Sequence, residues 1–175
     1  MMTLAETILM TQIGYENLIA KITEKEKEYD QVRDHRQVAF ELSGDGWHDN
    51  PEFNRMQQLE ANLNHTLKTL NDRLDVMKFI DIHDGMRNVQ QVEIGSIVKL
   101  RRYDLADDSE TEEIWEIRGF DETNIKLKHL AYNAPLAEKI MHLHVADIAE
   151  EVQIGSRHFD IEVVALFKTR LLADI

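Results

Sequence analysis

Two long stretches with helical periodicity, separated by only a few residues, limit what the first half of this chain can become. The pattern is sharpest after Asn50, a good N-cap, and Pro51, which suits the first helical position because its missing N–H is not needed there. Phe53, Met56, Leu63, Leu67, Leu70, Leu74 and Met77 follow an a/d repeat broken only by Glu60. Upstream, Ile13, Leu18, Ile22, Tyr29, Val32 and Ala39 recur with helical spacing, and Lys21–Glu28 supplies a charged face. The first helix should end near Leu42, at Ser43-Gly44-Asp45-Gly46, where glycine permits positive φ. Two such helices joined by a short turn make an antiparallel coiled-coil hairpin. It is expected over residues 1–82 with its tip at 43–52. Arms of about 29 residues at ~1.5 Å rise would give a rod of roughly 43 Å.

The pattern changes at Asp81-Ile82-His83-Asp84-Gly85, after which alternation replaces helical spacing. Ile97–Leu100, Ile114–Ile117, Ile125–Leu127 and Phe159–Ala165 read as strands. The acidic stretch Asp104–Glu113 reads as an exposed hairpin loop, and Pro135–Met141 as a short helix capped by Asn133 or Ala134. Residues 83–175 are therefore expected to form a small α+β domain. His142 and His144 would share one face of a strand near Asp147, too few ligands to define a metal site.

Charge narrows the function. The net charge is −13, so most of the surface repels nucleic acid, and a protein partner with a basic surface is the better expectation. Cysteine is absent, which excludes disulfides and thiolate metal sites. The first residues lack the basic-then-apolar order of a secretory signal, and no apolar run approaches the ~20 residues that cross a bilayer. A cytoplasmic protein without membrane contact is expected. With no glycine-rich phosphate loop, no G-x-S-x-G and no H-E-x-x-H, an enzyme with its own active site is not.

The chemistry that remains sits in Gly44-Asp45-Gly46-Trp47-His48-Asp49-Asn50-Pro51-Glu52-Phe53. Asp45 and Asp49 have an ordinary reading, as a turn aspartate and a residue favoured by the dipole of the next helix. They also have a functional one, as two hard oxygen ligands on a rod. Two exposed carboxylates hold Mg²⁺ weakly, so the tip would matter where a partly built metal site already exists. Trp47 either folds back on the hairpin or stacks on a base, and His48 is either a polar turn residue or an acid–base group. Arg33, Arg36 and Arg55 lie within a few turns of the tip, as surface charges or as contacts to phosphate.

Three motifs in series resemble the Gre transcript-cleavage factors of bacteria. Met10-Thr11-Gln12-Ile13-Gly14 through Leu18 is similar to the family's opening M-T-x-x-G-x-x-x-L, and Gly44-Asp45 through Phe53 to its tip G-D-L-S-E-N-A-E-Y. Gly119-Phe120-Asp121-Glu122-Thr123-Asn124 with Ala134-Pro135-Leu136-Ala137 resembles its C-terminal pair G-x-x-E-A-D and S-P-L-A. The resemblance implies an FKBP-like α+β domain after the hairpin. That domain would dock at the secondary channel of bacterial RNA polymerase, with Asp121, Glu122, Pro135 and Leu136 as candidate docking residues. The hairpin would enter the channel, where Asp45 and Asp49 act as catalytic carboxylates and shared ligands of the polymerase's Mg²⁺. Trp47, His48, Arg36 and Arg55 would be candidate contacts to the RNA 3′ end. The factor would carry no cofactor of its own, activate the polymerase's nuclease rather than act as an enzyme, and meet DNA only through the polymerase.

The chain departs from that pattern in four places. The segment between the tip acids is one residue longer, and aspartate stands where the family has glutamate. Glu41 occupies a position that tends to be basic in the family. Met141–Asp147 replaces a glycine-bearing G-K-x-x-G-D turn, and the first nine residues lie outside the match. The altered tip and Glu41 point to the alternative of a non-cleaving regulator that occupies the same channel. An unrelated scaffold or chaperone is the third reading.

Overall fold

The computed structural model describes residues 7–173. In chain order the elements are β1 (Ile8–Met10), α1 (Gln12–Ser43), a 3₁₀ turn (Gly44–Asp49), α2 (Pro51–Val76), β2 (Met77–Phe79), β3 (Ile97–Asp104), β4 (Glu110–Arg118), β5 (His129–Ala131), α3 (Pro135–Ile140), β6 (Ile148–Ile154) and β7 (Arg157–Phe167). Further 3₁₀ turns lie at Asp84–Met86, Ile125–Leu127 and Arg170–Ala173. The chain divides into two compact units, one carrying Tyr15–Lys78 and the other joining Leu9–Gly14 to the chain from Phe79 onward.

In the helical unit the apolar stripes face each other. Leu18, Ile22 and Ala39 of α1 and Phe53, Met56 and Leu70 of α2 are buried. Each stripe also contains a charge. Glu60, which interrupts the a/d repeat, pairs with Arg36 at 2.8 Å and accepts a hydrogen bond from the Tyr29 hydroxyl at 3.3 Å. Because Arg36 and Glu60 come from different helices, their pairing selects one register of the hairpin, the best-attested use of a polar group in a helical seam. The arms are unequal. The 32 residues of α1 and 26 of α2 correspond to roughly 48 and 39 Å at ~1.5 Å rise, where the sequence suggested equal lengths.

The second unit is built on a five-stranded sheet of order β5-β4-β3-β7-β6, antiparallel except for the β4–β5 pair. Period-2 alternation sends Val98 and Leu100 of β3, Trp115 and Ile117 of β4, and Ile161 and Val163 of β7 into one core with Leu136, Ala137 and Ile140 of α3. On the opposite face Arg101 bridges Glu110, Glu112 and Glu162, and Lys99 pairs with Glu112. This is the α+β unit expected from the sequence. Pro135 opens α3 after Ala134, as expected.

Three local expectations are corrected. Ile125–Leu127 is a 3₁₀ turn, not a strand: the Asn124 side chain accepts from the Leu127 N–H, Lys128 turns the chain at φ +55°, and Ile125 and Leu127 have no apolar face to bury against. The acidic stretch is half strand, since β3 runs to Asp104 and β4 starts at Glu110, so the exposed hairpin loop is confined to 105–109. Asp104 is buried and held by Arg157 at 2.7 Å. His142 sits at φ +67° in the turn after α3 and shares no strand face with His144.

Candidate functional site

At the far end of the hairpin, structural duty and chemical potential fall on different residues. Asn50 caps α2: its Oδ1 accepts from the N–H groups of Glu52 (2.9 Å) and Phe53 (3.4 Å). Its Nδ2 reaches back to the Ala39 carbonyl at 3.2 Å and to the Ser43 hydroxyl, and that hydroxyl donates to Ala39 O at 2.6 Å. One side chain thereby ties the end of α1 to the start of α2. Trp47 packs against Phe53 (centroids 5.1 Å) and Phe40 (5.8 Å), with the His48 ring against it at 3.3 Å. The tryptophan is thus folded back on the hairpin and half-buried. Gly44 turns the chain at φ +54°, a region in which an L side chain is strained.

Asp45 and Asp49 do none of this work. Both are exposed, and neither side chain takes part in a hydrogen bond or ion pair among the described residues. Their backbone is a 3₁₀ helix rather than an open turn. With three residues per turn, positions three apart eclipse, so Asp45 lines up with His48, and Asp49 is rotated from Asp45 by about 120°. Ideal 3₁₀ phase would splay the two aspartates and put Asp45 on the side of His48, whose ring packs on Trp47. Among the described residues no group of three or more His, Asp or Glu side chains is placed to hold a metal ion, so two carboxylates are the most the tip offers. Hard, exposed oxygens suit Mg²⁺ as part of a shared site and not as a whole one.

The flanking arginines differ. Arg36 is engaged with Glu60, whereas Arg55 is exposed and lies 3.7 Å from Glu52. Glu41, the acid in the place of an expected base, accepts from Gln37 at 2.8 Å and stays exposed.

In the second unit the four candidate docking residues separate by burial. Leu136 is a core residue and the Glu122 side chain is 6% exposed, so neither is a surface contact, contrary to the sequence reading. Asp121 and Pro135 are exposed. Asp121 adopts φ +58° and exchanges two hydrogen bonds of 2.9 Å with Asn133. Glu122 accepts from the Thr11 N–H at 2.7 Å and from the Thr11 hydroxyl at 2.8 Å, and Thr11 in turn accepts from the Gly14 N–H at 3.3 Å. A Cβ at either Gly14 or Gly119 would collide with the Glu122 carboxylate.

Sequence reasoning missed a further buried carboxylate, Glu116. It accepts from Arg118 (2.9 Å), Arg87 (3.2 Å) and Arg170 (2.7 Å). Burial opposes its ionisation, but the bonds from Arg170 and Arg118 prevail and hold its pKa below the ordinary value. His129 Nε2 lies 2.6 Å from Arg170 Nη2, a geometry that makes it an acceptor and hence neutral. Burial first, then the neighbouring Arg118, lowers its pKa. The available signal was a charge inside the apolar strand Ile114-Trp115-Glu116-Ile117, at a position facing away from the core.

No family model and no curated protein sequence matches the chain. Among solved structures it is similar to the GreA factor homolog 1 (Gfh1) protein of Thermus thermophilus, at 18% identity and TM-score 0.42 over 93% of this chain and 99% of that one. It is similar to Gfh1 of Thermus aquaticus at 19% identity and TM-score 0.42 over the same shares. For the prokaryotic transcription elongation factor GreA/GreB from Nitrosomonas europaea the values are 16% and 0.36, over 91% of this chain and 97% of that one. At such values no residue role transfers, and function has to be argued from the site.

Proposed function

We propose that this chain is an accessory factor of bacterial RNA polymerase that enters the secondary channel by its helical hairpin and stimulates cleavage of backtracked transcripts. The observation that carries the reading is the division of labour at the tip. Asn50, Ser43 and Trp47 hold its shape, which leaves Asp45 and Asp49 exposed and unpartnered at the end of a long rod. Acids that were merely local caps would be bonded to backbone N–H groups. A Mg²⁺ shared with the polymerase would supply Lewis-acid activation of water for phosphodiester hydrolysis. In that setting Asp45 and Asp49 contribute hard oxygen ligands and orient the attacking water, while the partner supplies the remaining ligands. The factor itself is then no enzyme and carries no cofactor, and its place is the cytoplasm with the polymerase.

A second reading, a channel-occupying regulator that does not stimulate cleavage, is favoured by one observation. The 3₁₀ phase turns Asp49 away from Asp45, and a misplacement of about an ångström costs on the order of 100-fold where alignment sets the rate.

The deciding experiment is a stalled, backtracked elongation complex to which this protein and Mg²⁺ are added. Release of short 3′ RNA fragments, abolished by Asp45→Asn with polymerase binding retained, is the expected result. Binding without fragments, together with competition against a cleaving factor, selects the second reading. No binding to polymerase sinks both.

A further inference from the structure

The second unit carries a surface whose charge is opposite to that of the chain. Two 3₁₀ turns distant in sequence lie side by side there: Arg170 Nη2 donates to the Leu127 carbonyl at 3.3 Å and contacts His129 at 2.6 Å. The two turns and their flanks read Ile125-Lys126-Leu127-Lys128-His129 and Lys168-Thr169-Arg170-Leu171-Leu172. These ten residues hold four cations and no carboxylate, in a chain with 33 acids to 20 bases. Four large apolar side chains of these joined turns are exposed, Leu171 at 91%, Ile125 at 71%, Leu172 at 66% and Leu127 at 52%. Three of the four cations are held. Lys128 lies over the Trp115 ring at 5.4 Å, Lys168 Nζ donates to the Arg87 carbonyl at 2.8 Å, and Arg170 is anchored on Glu116. Lys126 has no partner among the described residues and is exposed.

Apolar groups left in water and flanked by charges mark an interaction site rather than ordinary surface, and within these two segments every charge is positive. The charge sets the partner. We infer that this patch docks an acidic amphipathic helix of another protein, whose leucine-type side chains cover Ile125, Leu127, Leu171 and Leu172 while flanking Asp or Glu side chains meet Lys126, Lys128 and Lys168. Helix docking of this kind takes its affinity from a few apolar anchors and its choice of partner from the rim charges. The chain's own acidity does not prevent it, because charges beyond about 8 Å are screened at physiological ionic strength. The site is separate from the tip and stands or falls independently of the tip's chemistry.

The test is fluorescence anisotropy of the full chain with a labelled helical peptide of about 20 residues, long enough to be helical alone, built on leucine and glutamate. A leucine–lysine peptide of the same pattern is the control. Parallel arms are co-sedimentation with phosphatidylglycerol vesicles and sedimentation velocity of the chain by itself. The expected result is saturable binding of the acidic peptide only, weakened about tenfold or more by Leu171→Glu with Leu172→Glu, and separately by Lys126→Glu with Lys128→Glu. Ile125→Glu, at a site with no packing role, guards against an effect on folding and should weaken binding as well. Equal binding of both peptides, binding of vesicles but not of peptide, or self-association that the leucine substitutions abolish would each overturn the assignment.

Discussion

The Thr11 N–H donates to the Glu122 carboxylate at 2.7 Å across 111 residues of sequence, and the Thr11 hydroxyl donates to the other carboxylate oxygen at 2.8 Å. Thr11 also accepts from the Gly14 N–H, so it caps the start of α1 while being held itself. Gly14 and Gly119 leave the room that the carboxylate occupies.

Removal of that carboxylate should be felt throughout the second unit. Glu122→Ala leaves a buried N–H and a buried hydroxyl without acceptors, at a cost of about 1–3 kcal/mol. For a unit of this size each kcal/mol corresponds to a fall in Tm of about 4–8 °C. Gly119→Ala should cost at least as much, because its new Cβ meets the Leu9 backbone carbonyl at 3.1 Å as well as the carboxylate. Calorimetry checks both. An unchanged melting profile for Glu122→Ala would mean the clasp contributes nothing.

The Arg36–Glu60 pair makes a different prediction. Glu60→Ala should destabilise the hairpin by about 1–3 kcal/mol, since it leaves a half-buried guanidinium and the Tyr29 hydroxyl without their acceptor. Replacing both charges with leucine should be neutral or stabilising, because two desolvated charges give way to apolar packing. Urea unfolding of the single and double variants measures the difference, and a double variant weaker than Glu60→Ala contradicts it.

Acid should destabilise the second unit in two stages. His129 has a lowered pKa in the fold, so as pH falls through its ordinary value of 6.5 the unfolded chain takes the proton first and stability declines. Glu116 is also lowered, so its contribution is present above 4.5 and is lost as pH falls below that value towards its folded pKa. Urea midpoints between about pH 7 and about pH 5 should therefore drop, and His129→Gln should flatten that slope. A slope untouched by the substitution would assign it to other groups.

At the tip, deletion of Gly46 places Asp45 and Asp49 three positions apart, where a 3₁₀ helix eclipses them. Under the proposed function, fragment release from backtracked complexes should rise, by up to about 100-fold, the cost of misalignment. Equal or lower release argues that the splayed arrangement is the working one.

The hairpin was legible in the sequence because Asn50, Pro51 and the a/d spacing are local signals, each interpretable without its neighbours in space. The sheet was legible where alternation is strict, at Ile97–Leu100, Ile114–Ile117 and Phe159–Ala165. Ile125–Leu127 misled because two apolar residues flanking a lysine mimic a strand, while the Asn124 cap that makes them a turn leaves little trace in composition. The opening motif at Thr11 and Gly14 and the later one at Gly119 and Glu122 were each visible, but their meeting was not: nothing along the chain states that one supplies the acceptor for the other. Glu122 and Leu136 consequently read as surface residues. The relative phase of Asp45 and Asp49 was hidden for a related reason, since the choice between an open turn and a 3₁₀ helix rests on how Trp47 packs.

That packing also determines how freely the apex can change. Asn50, Ser43, Phe40 and Phe53 grip the loop from behind, and the forward positions 45, 46, 48 and 49 are exposed. Substitution at 45 or 49 alters what a visitor to the apex meets without removing a side-chain contact, whereas His48 packs on Trp47. Under the proposed function, point changes at 45 and 49 would therefore convert a stimulator into a blocker, or back again, at little cost in thermal stability.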